Sequence, residues 1–254
     1  MKTLHIFAIG VFALPLFAGC ETLSQVAANM PQTTTGSTTG RTSPGTITQT
    51  EAVTGIKQAL GNGLNNSINI LSAQNGFLGD AVVKILMPPE AQQVERTLRS
   101  VGMGALCDNF ITSLNRAAES AVKEAAPVFV NALSQMTVTD AFNILLGSQQ
   151  DAATMFFKRT TSTALTARFS PIVESALGKN KVSTYWTQLT SAYNSLPLSN
   201  TKIQTDLKAY VTQKAIDGLF IKVADEELKI RQNIGNARNS GLLDKVFGWV
   251  DSQK

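Results

Sequence analysis

Downstream of residue 51 the apolar side chains of this chain return every three or four positions. Val53, Ile56, Leu60, Leu64, Ile68 and Leu71 form the first such line, which is the spacing of one helix face. The stretch NGFLGDAVVKILMPPE at 75–90 breaks the rhythm. Turn residues at both ends and a β-branched centre predict a loop or a short extended piece. Pro89 suits the first turn of a second helix, continued by Ala91, Val94, Leu98 and Val101. Leu106, Phe110, Leu114, Ala117 and Ala121 mark a third, and Pro127 opens or kinks a further segment. Thr137 and Asp140 make a capping-box variant ahead of DAFNILLG, which Gly147 ends. A long helical stretch then runs from Asp151 towards a kink near Pro171, followed by VSTYWTQLTSAYNSL, residues 203–232 and SGLLDKVFGWV. Helix follows helix through short loops, with almost no strand pattern and no convincing internal repeat. The predicted fold class is therefore all-α, an irregular multi-helix bundle forming a single domain over residues 51–254. A chain of about 200 residues is long enough to bury one sizeable core.

The first fifty residues have a different texture. Lys2 precedes a mostly apolar run, Ile6 to Phe17, with small residues at Ala18 and Gly19. That layout is a bacterial secretory signal, and the run is shorter than the ~20 residues a membrane-spanning helix needs. The stretch Phe17-Ala18-Gly19-Cys20 resembles the lipobox of bacterial lipoproteins, although Phe17 stands where Leu is usual. The resemblance implies removal of residues 1–19 and a diacylglyceryl group on the Cys20 thiol, so the membrane is the first expected partner. Glu21 rather than Asp follows the cysteine, which by the sorting rules of such lipoproteins directs the reading to the outer membrane, facing the periplasm. From Cys20 to residue 50 the chain is expected to serve as a tether. Thr, Gly, Ser and Pro dominate residues 29–50, which have no apolar period and a coil reach of roughly 25 Å.

Composition narrows the chemistry. The formal charge is +4, falling to +3 without Lys2, and no basic run or aromatic-interleaved patch supports nucleic-acid binding. His5 is the only histidine and lies in the signal. A mature chain without histidine has no Ser-His-Asp or Cys-His catalysis and no histidine zinc site. Asp225, Glu226 and Glu227 are consecutive on a helix and point in three directions, so they do not share a metal; with Arg231 they read as a solvated helix face. The sequence offers no set of residues for a cofactor. Cys107, in GALCDNFITSL, has no free thiol to pair with once Cys20 is lipidated. Phe110, Ile111 and Leu114 at helical spacing make it a buried thiol, with a reactive thiol near a helix start after Gly102-Met103-Gly104 as the alternative.

Four stretches carry a family resemblance. They are NGFLGD at 75–80, NRAAESAVKEAAPVF at 115–129, FFKRTTSTALTARFSPIVESAL at 156–177 and YVTQKAIDGLFIKVADEELKIRQN at 210–233. In this order they resemble the bacterial lipoprotein family of domain of unknown function 4197, over roughly residues 51–250. The resemblance implies the fold and the address and assigns no catalytic residue.

Polar residues that interrupt an apolar line are the remaining candidates for a site. On the stripe Met155, Ser162, Leu165, Phe169 and Ile172, Arg159 falls in line. On Ile216, Phe220, Val223 and Ile230, Glu227 falls in line and Asp217 sits beside it. Asn115 lies between Ile111 and Ala118. Buried charges are usually paired, so Arg159, or Arg168, is expected to meet Glu227 or Asp217 across a helix interface. Such a cluster is read either as an internal ion pair that fixes helix register or as a polar floor for an anionic ligand group. Phe156, Phe157, Trp186, Tyr210 and Phe220 read as core, whereas Trp249 in the last amphipathic segment is also placed to touch a membrane or a partner. Three functions stay open on these grounds. The first is a non-catalytic tethered module that binds an envelope protein. The second is a carrier of an apolar or amphiphilic ligand with Arg159 or Arg168 at the head group. The third is a carboxylate-based hydrolase.

Overall fold

The computed structural model describes residues 46–179, 181–195 and 205–253, so Cys20, the signal and most of the tether lie outside the described residues. The first helix, α1, spans Gln49–Ser72. Its start is closed by Thr48, whose Oγ1 accepts the Glu51 N–H at 3.1 Å while the Glu51 carboxylate accepts the Thr48 N–H at 2.8 Å. The helix thus begins a little ahead of residue 51, because the capping box recruits Thr48, which belongs by composition to the tether.

The chain then turns and runs extended to Pro88, and a 3₁₀ turn at Pro89–Ala91 leads into α2, Gln92–Ser100. Next come α3, Gly104–Val122, α4, Ala126–Gln135, and α5, Val138–Leu146, which opens on the expected Thr137–Asp140 box. The long α6, Ala152–Lys179, contains Pro171. Helices α7, Val182–Asn194, α8, Leu207–Gln232, and α9, Gly241–Asp251, complete the chain. Helices are the only regular elements among the described residues, and the architecture is the all-α irregular bundle in one domain.

Helices α3, α6 and α8 pack on one another, and α1 covers α3 and α8. Phe129 of α4 meets Phe157 of α6 edge-on at 5.5 Å and Phe220 of α8 at 6.4 Å, which puts an aromatic junction at the centre. Helix α9 closes the far side of α1. A Cβ on Gly55 would sit 2.8 Å from Val246 Cγ2, so this crossing requires glycine, and Lys245 reaches Glu51 at 2.6 Å. Phe156, Phe157 and Phe220 are buried, Trp186, Tyr210 and Trp249 pack half-buried against the core, and Val101 is exposed, off the face of α2.

The phase of α6 departs from expectation. Its buried line is Phe157, Thr161, Leu165, Phe169, Val173 and Leu177, four residues apart throughout. Met155, taken as core from the sequence, is 50% exposed. Thr161 escapes an apolar search, but it is a core residue because its hydroxyl donates to the Phe157 carbonyl at 2.6 Å. Arg159 therefore stands on the solvent side.

Candidate binding groove

The five polar candidates do not form one cluster. Arg159 is exposed, with its guanidinium 5.8 Å from the Phe156 ring centroid, and Arg168 is exposed, 3.8 Å from Glu124. Neither touches Glu227 or Asp217. The expected ion pair across the interface is replaced by a different one, because α6 is rotated away from the assumed phase. Glu227 is 5% exposed and takes Arg231 of its own helix at 2.8 Å. Its carboxylate also accepts the backbone N–H groups of Ala153 and Thr154, at 2.9 and 2.8 Å, and the Thr154 hydroxyl at 2.8 Å. Glu227 is thus the N-terminal cap of α6, supplied from another helix, where a carboxylate also complements the helix dipole. Arg231 donates onward to the Ile144 carbonyl at 2.9 Å. Glu227 and Arg231 are consequently not a solvated face, and the pair is structural.

Asn115 is fully buried on α3 and does something different. Its Oδ1 accepts the Ile85 N–H at 2.9 Å and its Nδ2 donates to the Ile85 carbonyl at 2.8 Å, with a second donation to Ile111 O at 2.7 Å. The side-chain amide behaves towards Ile85 as a neighbouring strand would. One turn further along α3, the buried Glu119 accepts the Phe77 N–H at 3.4 Å and is paired with Arg116 at 2.7 Å, and Arg116 holds Asn75 Oδ1 at 2.7 Å. Residues 75–85, which have no helix of their own to satisfy them, are pinned to α3 by this set. Sequence reasoning found Asn115 and missed Arg116 and Glu119. The signal was a carboxylate at i,i+4 from that asparagine, beside Ala118 and Val122 on an otherwise apolar face.

The pinned segment presents its other side to α8. Burial alternates along it: Val83, Ile85 and Met87 are buried, and Lys84 and Leu86 are exposed, the period of a strand. Gly218 of α8 makes the approach close enough, since a Cβ there would lie 2.7 Å from Phe77 Cε1 and 3.3 Å from Val83 Cβ. Tyr210 crosses the gap and donates to the Leu86 carbonyl at 3.1 Å; burial, and secondarily the charge of Glu90, push its phenol up, so the donor proton is retained. Lys222 ties the start of the segment to α8 through Asp80 at 2.7 Å. Between segment and helix lies a groove of about 280 Å³. Its exposed apolar groups are Val82 (69%), Leu86 (56%) and Ile221 (37%). Its polar wall includes Lys84, Lys214 and Asp217, the last half-buried and accepting from Gln213 at 2.9 Å. Lys84 and Lys214 have no ion pair among the described residues, and the Lys214 ammonium sits 5.9 Å from the Tyr210 ring centroid. Asp217 and Asn115, two of the sequence candidates, therefore flank the same segment from opposite sides.

The Asp80–Lys222 contact makes the segment sensitive to acid. Hydrogen bonding to Lys222, helped by the Val82 N–H, holds the Asp80 carboxyl below the usual aspartate range. The contribution is present above the ordinary aspartate pKa and is lost as pH falls through the lowered value. Lys222 is in turn held above the usual lysine range, so its contribution is full below the ordinary lysine pKa and is lost as pH rises through the raised value. The protection of the amides at residues 81–84, taken relative to the intrinsic exchange rate at each pH, is expected to fall on acidification through this window, with an effect of about 1 kcal/mol at most for so accessible a pair. Lys222→Met should lower this protection at neutral pH and remove its acid dependence.

Cys107 is buried in the first turn of α3, and burial pushes its thiol up, against nucleophilic use. Among the described residues no group of three or more His, Cys, Asp or Glu side chains could hold a metal ion. No described helix is long and apolar enough to cross a membrane.

Fold and groove together define a helical domain in which the extended segment at residues 83–87 is held between two helices. The chain belongs to the family described as protein of unknown function (DUF4197), whose model matches residues 46–248, in agreement with the resemblance seen in the four quoted stretches. No curated protein and no solved structure matches it.

Proposed function

We propose that the protein is a non-catalytic binding module of the bacterial cell envelope, anchored by lipid on Cys20, facing the periplasm from the outer membrane, and that the groove between residues 82–87 and α8 is its binding surface. The observation that carries this reading is the exposure of Val82, Leu86 and Ile221 beside two lysines without ion pairs among the described residues, on a backbone segment held from behind by Asn115. Apolar groups grouped in a recess with a few polar ones are the ordinary chemistry of a binding site. The groove lining includes one carboxylate, Asp217, where glycosidase-like chemistry uses two. The recess beside Glu227 offers about 10 Å³, too little for a carried lipid.

The test is site-specific photocrosslinking in intact cells. A benzophenone side chain at Leu86 or Ile221 is expected to give a discrete adduct, and one at the exposed Met155 is not. Equal adducts at all three positions, or none at any, would overturn the reading. Its anchoring component is checked by Cys20→Ser, which should shift the protein from the membrane to the soluble fraction; persistence in the membrane would refute the lipid anchor.

A further inference from the structure

We propose that the groove takes an extended, acidic peptide of a partner protein, laid beside residues 83–87 as an added strand. This rests on the reading of the groove as the binding surface and names its ligand class.

The backbone of the segment is the starting point. In an extended chain the N–H and C=O of one residue point to the same side, and successive residues alternate. Both groups of Ile85 are consumed by Asn115 on the α3 side. The Lys84 N–H is used by the Asp80 carbonyl at 2.8 Å, and the Lys84 C=O and both groups of Leu86 face away from α3, in line with Tyr210 of α8 donating to the Leu86 carbonyl. The Leu86 N–H and the Lys84 C=O have no hydrogen-bond partner among the described residues. This is a short strand edge with one side blocked by an asparagine and the other open on a groove from the Lys84 C=O to the Leu86 N–H, where Tyr210 closes it. A peptide strand is the ligand that satisfies a free N–H and a free C=O at this spacing, as in recognition by strand addition. The opposite wall is α8, whose nearest approach to the segment is set by Gly218, and the space left between them is about 280 Å³.

Charge selects among peptides. Lys84 and Lys214 stand on the two walls without ion pairs among the described residues, so carboxylate side chains between them are favoured. Apolar side chains at alternate positions of the peptide would meet Leu86 and Ile221, and Asp217 is available to accept one peptide N–H.

The probe is a displayed library of random octapeptides, selected on the full-length lipidated protein in detergent micelles, followed by anisotropy titration of the most enriched member. The expected result is enrichment of sequences alternating apolar residues with Asp or Glu, and saturable binding. Affinity should fall at least tenfold on each of three changes: N-methylation of alternate peptide amides, Leu86→Pro, and Lys84→Glu combined with Lys214→Glu. Leu86→Pro removes the free N–H together with the leucine side-chain contact, and the N-methylated peptide, which changes main-chain donors alone, separates the two effects. Should this variant melt, the N-methylated peptide removes main-chain hydrogen bonds from the ligand side. The proposal is overturned if no sequence class is enriched, if enriched peptides are basic or carry a helical period, or if N-methylation and the lysine reversals leave affinity unchanged. It is also overturned if anionic vesicles of phosphatidylglycerol bind at the groove and are not displaced by the peptide. Crosslinking at Leu86 and Ile221 that persists alongside any of these outcomes would sink the peptide class alone; loss of the crosslinks as well would remove the groove as a binding surface.

Discussion

Glu227→Leu is expected to lower the stability of the domain by about 3–5 kcal/mol, the range for removing one partner of a buried ion pair. The cost has two sources. Arg231, whose side chain is 9% exposed, keeps only its bond to the Ile144 carbonyl and becomes a buried cation without its carboxylate. The N–H groups of Ala153 and Thr154, both in the buried first turn of α6, lose their acceptor, which for a cap costs ~1 kcal/mol. Urea unfolding followed by helical circular dichroism reads the sum. Adding Arg231→Met to Glu227→Leu should recover part of the loss, since a pair of apolar residues leaves no orphan charge. A single-variant loss below about 1 kcal/mol would show that α6 is capped adequately without Glu227.

Asn115→Leu comes second, with an expected loss of about 3 kcal/mol and a local signature. Leucine fills the space but leaves the Ile85 N–H and C=O buried without partners, at about 1–3 kcal/mol for each group so stranded. The damage should concentrate on the segment the amide holds. Hydrogen exchange is expected to accelerate at the Ile85 amide and through residues 76–87 well before the helices, and the groove should lose its wall. Asp217→Asn is the contrasting variant on the other side of the groove. Its side chain is half-buried and, among the described residues, bonded only to Gln213, so stability should move by less than about 0.5 kcal/mol. Uniform acceleration of exchange across the helices in Asn115→Leu would mean that the segment is held by its apolar side chains rather than by the amide.

Most helices could be read from apolar periodicity because their faces are broad. The face of α1, from Ala52 to Leu71, and the Thr137 box are examples, and the family resemblance agreed with them. The site was read less well, for reasons visible in particular residues. On α6 a line through Met155, Leu165 and Phe169 competes with the true line through Phe157, Thr161 and Leu165, and only the second contains a threonine. A hydroxyl that bonds back to its own helix packs as an apolar group, so Thr161 does not interrupt the true line, which is the more apolar of the two; the other line carries Arg159 and Ser162, and a charge on an apolar line was read as a buried ion pair instead of as a sign of the wrong phase. Glu227 was recognisable as a charge on a core face. Its true partners were not recognisable, because two of them are backbone N–H groups, which look alike in every sequence. Residues 83–87 alternate over too few positions to separate strand from loop, and what holds them extended is an asparagine thirty residues away.

The cap on α6 also bears on the order in which the molecule assembles. The bond from Ala153 to Glu227 closes a separation of 74 residues. Contacts so distant along the chain carry a large closure entropy and slow a folding reaction that needs them early. Helix α6 can form its middle turns on its own, but its first turn waits for α8 to dock. In kinetic terms, the energy of the Glu227 contact belongs mainly after the transition state, so its removal should speed unfolding and leave the folding rate nearly unchanged. A carboxylate that looks like a local helix charge would then be a latch closed last, one that sets the lifetime of the folded domain more than the speed of reaching it.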